Sequence, residues 1–201
     1  MIADFCVWAK NPVAADAAPT RRGVFLSERL QPRSTAIQNQ SRSGGKGMLR
    51  SDKPHAGALR RGRYSETGRI YLLTAVLYGR EALLQDFSLG RLLVAELREA
   101  HETGLVHSLA WVMMPDHLHW LVQLESATLN ELMRQVKGRS SRQINQRLSR
   151  VGPLWQPGFH DRAVRQEEDL RAVARYVIAN PVRAGLVKRV AEYPLWDAVW
   201  L

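Results

Sequence analysis

The stretch WVMMPDHLHWLVQL, residues 111–124, places two histidines two positions apart in an otherwise apolar run. Proline is common in turns, so the pattern predicts two strands joined around Pro115 and Asp116. Side chains alternate along a strand, so His117 and His119 are expected on one face of the sheet, with their apolar neighbours on the other.

Three interpretations of the histidine pair are open at this point. The pair is a packing accident, a hydrogen-bonded structural pair, or part of a metal site. On the spacing alone the structural interpretations are favoured, because histidine is often partly buried in ordinary folds. Imidazole is the commonest metal ligand, but a catalytic metal needs at least one more ligand than this pair supplies.

The segments around the predicted hairpin alternate between strand and helix patterns. A short apolar run between glycines indicates a strand, and two longer segments with apolar residues on one face indicate helices, the first closed by Gly104. The predicted elements are a strand at 70–78, a helix at 88–104, the two hairpin strands, a helix at 128–148, a strand at 158–165 and a helix at 167–180. This β-α-β-β-α-β order predicts an α+β, ferredoxin-like fold, with one antiparallel sheet, helices on a single face and a further C-terminal helix. Such a fold hosts many functions.

The charge of the chain suggests a polyanionic partner. There are 29 Lys and Arg residues against 19 Asp and Glu among 201 residues, a net charge of +10. Nucleic acid is the commonest partner of so basic a protein, although a scattered basic surface that aids solubility is the alternative. Cys6 is the only cysteine, which excludes an intramolecular disulfide and a cysteine-based zinc site. No secretory signal and no apolar run near the ~20 residues of a membrane span is present, so a soluble, cytoplasmic protein is expected.

The N-terminal residues 1–60 differ in composition from the rest. They contain ten Lys and Arg against four Asp and Glu, and the stretch QPRSTAIQNQSRSGGKG has no helical or strand periodicity. We therefore expect a basic, disordered extension over 1–60 and one domain over 61–201. Residues 1–47 have a second interpretation, in which Met48 is the natural start of the protein and the preceding residues are a mis-assigned reading frame.

The last predicted helix contains a candidate partner for the histidines. Tyr176 and Asn180 lie four residues apart, on one flank of the apolar arc of that helix. If the helix packs near the sheet, a phenol and an amide approach the histidine face together. The alternatives are a boundary tyrosine with a solvated hydroxyl and an ordinary asparagine before Pro181.

Three segments in this order and spacing, PDHLHWLVQL, LWQPGFHDRAVR and ARYVIANPVRAGLV, resemble the REP-associated tyrosine transposases. These belong to the single-tyrosine HUH, or IS200-like, transposases, in which HUH means His, hydrophobic residue, His. The resemblance extends from about residue 62 to residue 200, and the first 47 residues have no counterpart in it. It implies that His117, His119 and Asn180 are metal ligands and that Tyr176 is the catalytic nucleophile; no departure from the pattern occurs at these four positions.

The resemblance also implies a reaction and a substrate. The expected activity is metal-dependent cleavage and joining of single-stranded DNA at hairpin-forming palindromic repeats, through a 5′-phosphotyrosine link and a free 3′-hydroxyl. The expected cofactor is Mg²⁺ or Mn²⁺, with imidazole ligands favouring Mn²⁺ and with Zn²⁺ less typical. The protein is expected to act near the nucleoid as a monomer or a homodimer, without a membrane partner.

Basic residues are candidates for contact with the hairpin, since phosphate contacts dominate the affinity of DNA-binding proteins. Each of them alone has the simpler interpretation of a solvated surface charge, and the net charge favours DNA contact for the set. The candidates are Arg60, Arg61, Arg63, Lys137, Arg139, Arg142, Arg147, Arg162 and Arg165.

Two alternative functions stay open. The first is a regulatory protein with the same fold that binds DNA hairpins without cleaving them. The second is a metal-dependent hydrolase that uses activated water, for which the histidines are essential and Tyr176 is dispensable.

Overall fold

The fold is described by a computed structural model for residues 65–165 and 169–200. The predicted N-terminal extension and Arg60, Arg61 and Arg63 lie outside these residues. The described chain contains five strands and four α-helices, joined by turns that include three short 3-10 segments. The elements are β1 (Ile70–Val76), α1 (Phe87–Glu102), β2 (Val106–Met114), β3 (His117–Leu124), α2 (Leu129–Arg147), β4 (His160–Ala163), α3 (Leu170–Ile178), α4 (Asn180–Arg183) and β5 (Trp196–Ala198).

The strands form one antiparallel sheet in the order β4-β1-β3-β2-β5. The first four strands and the two helices between them have the predicted β-α-β-β-α-β arrangement, so the α+β, ferredoxin-like prediction is confirmed. The fifth strand, β5, was not predicted. It has three residues, which is too short for an alternating pattern to be recognised, and it pairs with the edge of β2.

One face of the sheet and helices α1 and α2 enclose the larger core. On β3, Leu118 and Trp120 are fully buried on this face, opposite to the histidines. The Trp120 indole nitrogen donates to Ser108 Oγ over 2.9 Å, which satisfies the polar group of a buried side chain. The apolar residues predicted on the inner face of α2 are all buried, and Thr128 and Glu131 form a capping box at its start.

Helix α3 packs against the other face of the sheet. Its buried residues Ala174, Val177 and Ile178 join apolar residues of β2, β3 and β5 in two smaller clusters. Val112 and Met114, which pack with Val177, are the residues of β2 that pair with His119 and His117. The C-terminal helix is therefore on the histidine face, as the site prediction requires.

The observed elements differ from the predicted ones mainly at their ends. The strand predicted at 70–78 ends at Val76, because Gly79 has a positive φ of 63° within a 3-10 turn at residues 78–80. The strand predicted at 158–165 is limited to four residues. The helix predicted at 167–180 covers residues 170–178, and Pro181 lies in the first turn of α4 rather than after a helix end. A proline suits the first turn of a helix, where its missing N–H has no partner to lose.

None of the helices in residues 65–165 and 169–200 has the length and apolar character that a membrane span requires.

Candidate active site

The two histidines of β3 bring their outer ring nitrogens together on the α3 side of the sheet. His117 Nε2 and His119 Nε2 lie 3.2 Å apart, and the ring planes are nearly perpendicular, with centroids 4.8 Å apart. Both side chains are partly buried. The two residues therefore direct one nitrogen each toward a common point.

The other ring nitrogen of each histidine has a fixed partner. His117 Nδ1 lies 2.5 Å from Asp116 Oδ1, and Asp116 Oδ2 accepts a hydrogen bond of 2.9 Å from Arg80. His119 Nδ1 lies 2.9 Å from Thr74 Oγ1 on the neighbouring strand β1. A carboxylate accepts hydrogen bonds only, so His117 donates from Nδ1, and Nε2 is the ring nitrogen that can act as a ligand.

This arrangement fits a metal ion. Two nitrogens that each lie about 2.1 Å from one ion are separated by about 3.0–3.4 Å for right-angled to tetrahedral geometry, and the observed separation is 3.2 Å. A carboxylate or hydroxyl on the far nitrogen is the usual means by which proteins orient metal-binding imidazoles. No group of three or more His, Cys, Asp or Glu side chains suited to a metal occurs among residues 65–165 and 169–200. A metal at this place would take a further ligand of another type, for which the amide of Asn180 stays the prediction.

The protonation of His119 favours ligand function at neutral pH. Burial lowers the pKa of His119 to about 4, and the positive charges of His117 and Arg183 contribute to the shift. The ring is therefore neutral near pH 7, which is the form that coordinates metals. For Asp116, burial acts to raise the pKa, but hydrogen bonds from His117 and Arg80 outweigh it and hold the pKa below its usual value.

Tyr176 is on α3 and is 60% exposed, although the residue after it in the sequence is buried. Its position on the flank of the helix agrees with the predicted apolar arc. Because the hydroxyl-bearing ring is largely exposed beside the histidine face, it is accessible to a large substrate.

Asn180 lies at the start of α4, one turn after Tyr176. Its Nδ2 donates to Val177 O over 2.7 Å, and its Oδ1 accepts from Arg183 Nη2 over 2.6 Å. Arg183 also stacks on the Tyr176 ring, 3.7 Å from its centroid. Val177, the residue after Tyr176, packs with the β2 residues that pair with the histidines, so Tyr176, Asn180 and the histidine pair lie on the same side of the sheet.

Several residues of this neighbourhood were not singled out from the sequence. Asp116 was assigned only to the turn, yet its position directly before His117 was a usable signal. Arg183 follows Asn180 by three residues in a helical turn, which places the two side chains on one face and was also a signal. Thr74 is a polar residue within an apolar strand, and its partner depends on the pairing of β1 with β3, which the sequence did not fix.

The candidate DNA-binding residues are divided between the two faces of the sheet. Arg162 pairs across β4 and β1 with Leu72, which packs on the α3 side, so Arg162 is on the histidine face. Helix α2, with Arg142 and Arg147, covers the opposite face. Arg165 follows β4. DNA contact by these four exposed residues stays a prediction.

Two further candidates on α2 have partners within the protein. The Lys137 ammonium donates to the carbonyl oxygens of Gln156 and Gly158 over 2.7 and 2.5 Å. Arg139 lies 3.6 Å from a carboxylate oxygen of Glu99 and 3.9 Å from one of Glu96. These interactions compete with contacts between the two side chains and DNA. DNA contact by Lys137 and Arg139 stays a prediction.

The chain is similar to known proteins in family, sequence and structure. The family model of IS200-like transposases matches residues 71–180, more than half of the chain. Over 87 residues the chain is 30% identical to the REP-associated tyrosine transposase of Escherichia coli strain K12, a match covering 42% of this chain and about half (50%) of that relative's length. Over 143 residues it is 29% identical to a proposed REP-associated tyrosine transposase of Haemophilus influenzae, covering 63% of this chain and 78% of the relative.

The fold of this chain is also similar to that of a solved structure. A solved structure of a REP-associated tyrosine transposase bound to a REP hairpin matches with a TM-score of 0.54 and 26% identity, covering 67% of this chain and 79% of the other.

Proposed function

Because the chain belongs to the IS200-like transposase family, we propose that it cleaves and rejoins single-stranded DNA at hairpin-forming repeats, through a covalent bond to Tyr176. The solved relative bound to a REP hairpin supports the choice of substrate. The observation on which the proposal most depends is the convergence of His117 Nε2 and His119 Nε2 beside the helix that bears the exposed Tyr176.

The proposed reaction is a transfer of the phosphoryl group from a DNA oxygen to the tyrosine oxygen. Tyr176 Oη loses its proton and forms a bond to phosphorus while the bond from phosphorus to the 3′ oxygen breaks. The 3′ oxygen takes up a proton and leaves as a 3′-hydroxyl, so that one proton is lost and one is gained. The 5′ end stays attached as phosphotyrosine, and this bond retains the energy for rejoining. Attack by a 3′-hydroxyl on the phosphotyrosine reverses the step and releases Tyr176.

His117, His119 and Asn180 would hold a divalent metal ion, Mn²⁺ or Mg²⁺. When bound, the ion supplies Lewis-acid polarisation of the scissile phosphate. Asp116 and Thr74 keep the two imidazoles oriented through their Nδ1 atoms. The exposed setting of Tyr176 lets the phenol reach a phosphate in a chain that enters from solvent.

The path of the single strand is proposed to follow the histidine face toward β4. Helix α3 packs on β2, β3 and β5. His160, which pairs with Thr74, and Arg162 are exposed on the side of the face formed by β1 and β4. An imidazole and a guanidinium there suit contacts with phosphates and bases.

The test is a covalent-adduct assay with single-stranded hairpin DNA from the palindromic repeats of the protein's own genome, in the presence of Mn²⁺. We expect a protein–DNA adduct on denaturing gels for the hairpin and none for fully paired duplex. Tyr176→Phe removes only the hydroxyl, so the adduct should disappear while hairpin affinity and Mn²⁺ binding survive. An adduct that persists in Tyr176→Phe would overturn the mechanism.

Variants of the ligands separate the roles further. His117→Ala or His119→Ala should abolish cleavage through lost Mn²⁺ affinity, with partial recovery in excess Mn²⁺. Asn180→Ala should be less severe, because water can replace an amide oxygen as a ligand. Hairpin binding without any adduct would identify the regulatory alternative, and cleavage by Tyr176→Phe without an adduct would identify the hydrolase alternative.

A further inference from the structure

The guanidinium of Arg183 lies against both Tyr176 and Asn180. It stacks over the Tyr176 ring at 3.7 Å from the centroid, Nη1 donates to Tyr176 O over 3.1 Å, and Nη2 donates to Asn180 Oδ1 over 2.6 Å. These three contacts hold a full positive charge on the exposed side chain that we propose as the nucleophile.

The charge of Arg183 is not balanced by an acid within the described residues. Arg69, Arg80, Arg150 and Arg189 each pair with a carboxylate at 2.8–3.0 Å. Among residues 65–165 and 169–200, no such ion pair includes Arg183, and the acceptors described above are a neutral carbonyl and a neutral amide. A phosphate offers arginine an ionised acceptor and bidentate geometry, which the two neutral oxygens do not, so an arriving phosphodiester would compete well for the guanidinium.

We propose that Arg183 is a catalytic residue that binds the scissile phosphodiester beside Tyr176, exchanging the Asn180 amide oxygen for a phosphate oxygen when DNA binds. The inference rests on the proposed function, because it requires a phosphate to be attacked by Tyr176 at this place. In the free protein Arg183 holds the phenol ring and the amide in position. With DNA bound it places positive charge where negative charge develops on the phosphate oxygens, and Asn180 Oδ1 becomes free to act as a ligand.

The shape of the side chain matters as well as its charge. A planar guanidinium stacks on a ring and presents several N–H donors in one plane, whereas an ammonium is a compact point charge that does neither. Arg183→Lys should therefore keep part of the function and Arg183→Ala should lose more. A neighbouring cation provides a matched control. Arg175 is exposed on α3, directly before Tyr176, and makes none of the three contacts.

The first measurement is the affinity for uncut hairpin DNA in the Tyr176→Phe background, by fluorescence anisotropy with Mn²⁺ present. Two hairpins are compared, one with a normal phosphate at the position cut by the wild type and one with an uncharged methylphosphonate there. Adding Arg183→Ala should weaken binding of the normal hairpin about tenfold, and should change binding of the methylphosphonate hairpin by less than about twofold. Equal losses on both hairpins would show that Arg183 does not contact this phosphate.

The second measurement is the rate of adduct formation in a single turnover. Arg183→Ala should lower it about 100-fold, with Arg183→Lys between Arg183→Ala and the wild type, and with Arg175→Ala close to the wild type. Thermal unfolding of each variant checks the fold. If Arg183→Ala proves unstable, the rate of adduct formation by Arg183→Lys decides the test. A wild-type protein that forms no adduct would overturn the proposed function itself. If the wild type forms the adduct and the Arg183→Ala and Arg175→Ala variants form it at equal rates, only the role of Arg183 is overturned.

Discussion

The two imidazoles of the candidate site are held in different ways, although they lie two residues apart. His117 is tied to a carboxylate that is itself fixed by Arg80, and His119 is tied to the hydroxyl of Thr74. Arg80 has a positive φ of 54°, an uncommon conformation for a non-glycine residue. The carboxylate makes the His117 ring a stronger electron donor, whereas the hydroxyl mainly orients the His119 ring.

From this difference we expect Asp116→Asn to weaken Mn²⁺ binding about 10–100-fold, which is the usual effect of losing such an outer partner. Thr74→Val should weaken it less, because no charge is removed. Isothermal titration of Mn²⁺ into each variant measures the effect, and unfolding curves check that both remain folded. Equal Mn²⁺ affinity of Asp116→Asn and the wild type would contradict this role for Asp116.

The low pKa of His119 predicts a dependence of stability on pH in the metal-free protein. The ordinary histidine pKa of 6.5 applies to the unfolded chain, and burial lowers it to about 4 in the folded protein. Between these values the unfolded state binds more protons, so the free energy of unfolding decreases as pH falls from about 6.5 to about 4. The expected contribution is on the order of 2 kcal/mol.

The measurement is urea unfolding at pH 7.5 and pH 4.5 in the presence of a chelator. His119→Gln removes the titrating group, so its free energy of unfolding should decrease less over the same interval. Identical decreases in the variant and the wild type would show that other groups account for the pH dependence.

The sequence identified the residues of the site that lie close together along the chain. His117 and His119 share a strand, and Tyr176 and Asn180 are four residues apart, on either side of the break between α3 and α4. Thr74 was not identified, since its contact with His119 joins residues 45 positions apart and arises only from strand pairing. The ligand and nucleophile roles themselves stay predictions.

Two helix glycines have opposite surroundings. A Cβ added to Gly90, which is buried in α1, would overlap Leu195 Cδ1 and lie 3.1 Å from its Cδ2. A Cβ on Gly138, in the middle of α2, would meet nothing within 4 Å. Leu195 is the residue before β5, and its carbonyl oxygen accepts a hydrogen bond from Met113 N. The packing of Leu195 against Gly90 therefore helps to hold β5 in place at the edge of the sheet.

We expect Gly138→Ala to stabilise the protein by about 0.5–1 kcal/mol, because alanine is the better helix former at a site with free space. Gly90→Ala should instead destabilise it by about 1 kcal/mol or more, since Leu195 is buried and has little room to move. Urea unfolding gives both values, and Leu195→Ala combined with Gly90→Ala should show less than the sum of the two losses. A stabilising effect of Gly90→Ala would refute the close packing.

The long helices were predictable, whereas the short elements β5 and α4 were not. Helices α1 and α2 have 16 and 19 residues, enough for several repeats of the apolar pattern. Strand β5 has three residues and forms because β2 offers partners to its backbone. Helix α4 has four residues, and its backbone bonds are local ones between neighbouring turns. Elements this short do not show a repeated apolar pattern in the sequence.

For the whole molecule, the described residues form an apolar core on each face of the sheet. Helices pack on both faces, and the family match begins at residue 71. We therefore expect a chain that starts at Met48 to unfold at the same urea concentration as the full chain and to form the covalent adduct at the same rate. Loss of folding on this truncation would show that residues 1–47 contribute to the core.

The alternation of side chains on β3 gives the protein a safeguard against mispairing. The same eight residues supply Leu118 and Trp120 to one face and the histidine pair to the other. A slip of β3 by one residue would put imidazoles into the large core and expose an indole, so such a chain would not fold stably. We therefore expect an error of pairing to yield an unfolded chain rather than a folded molecule with a displaced histidine pair.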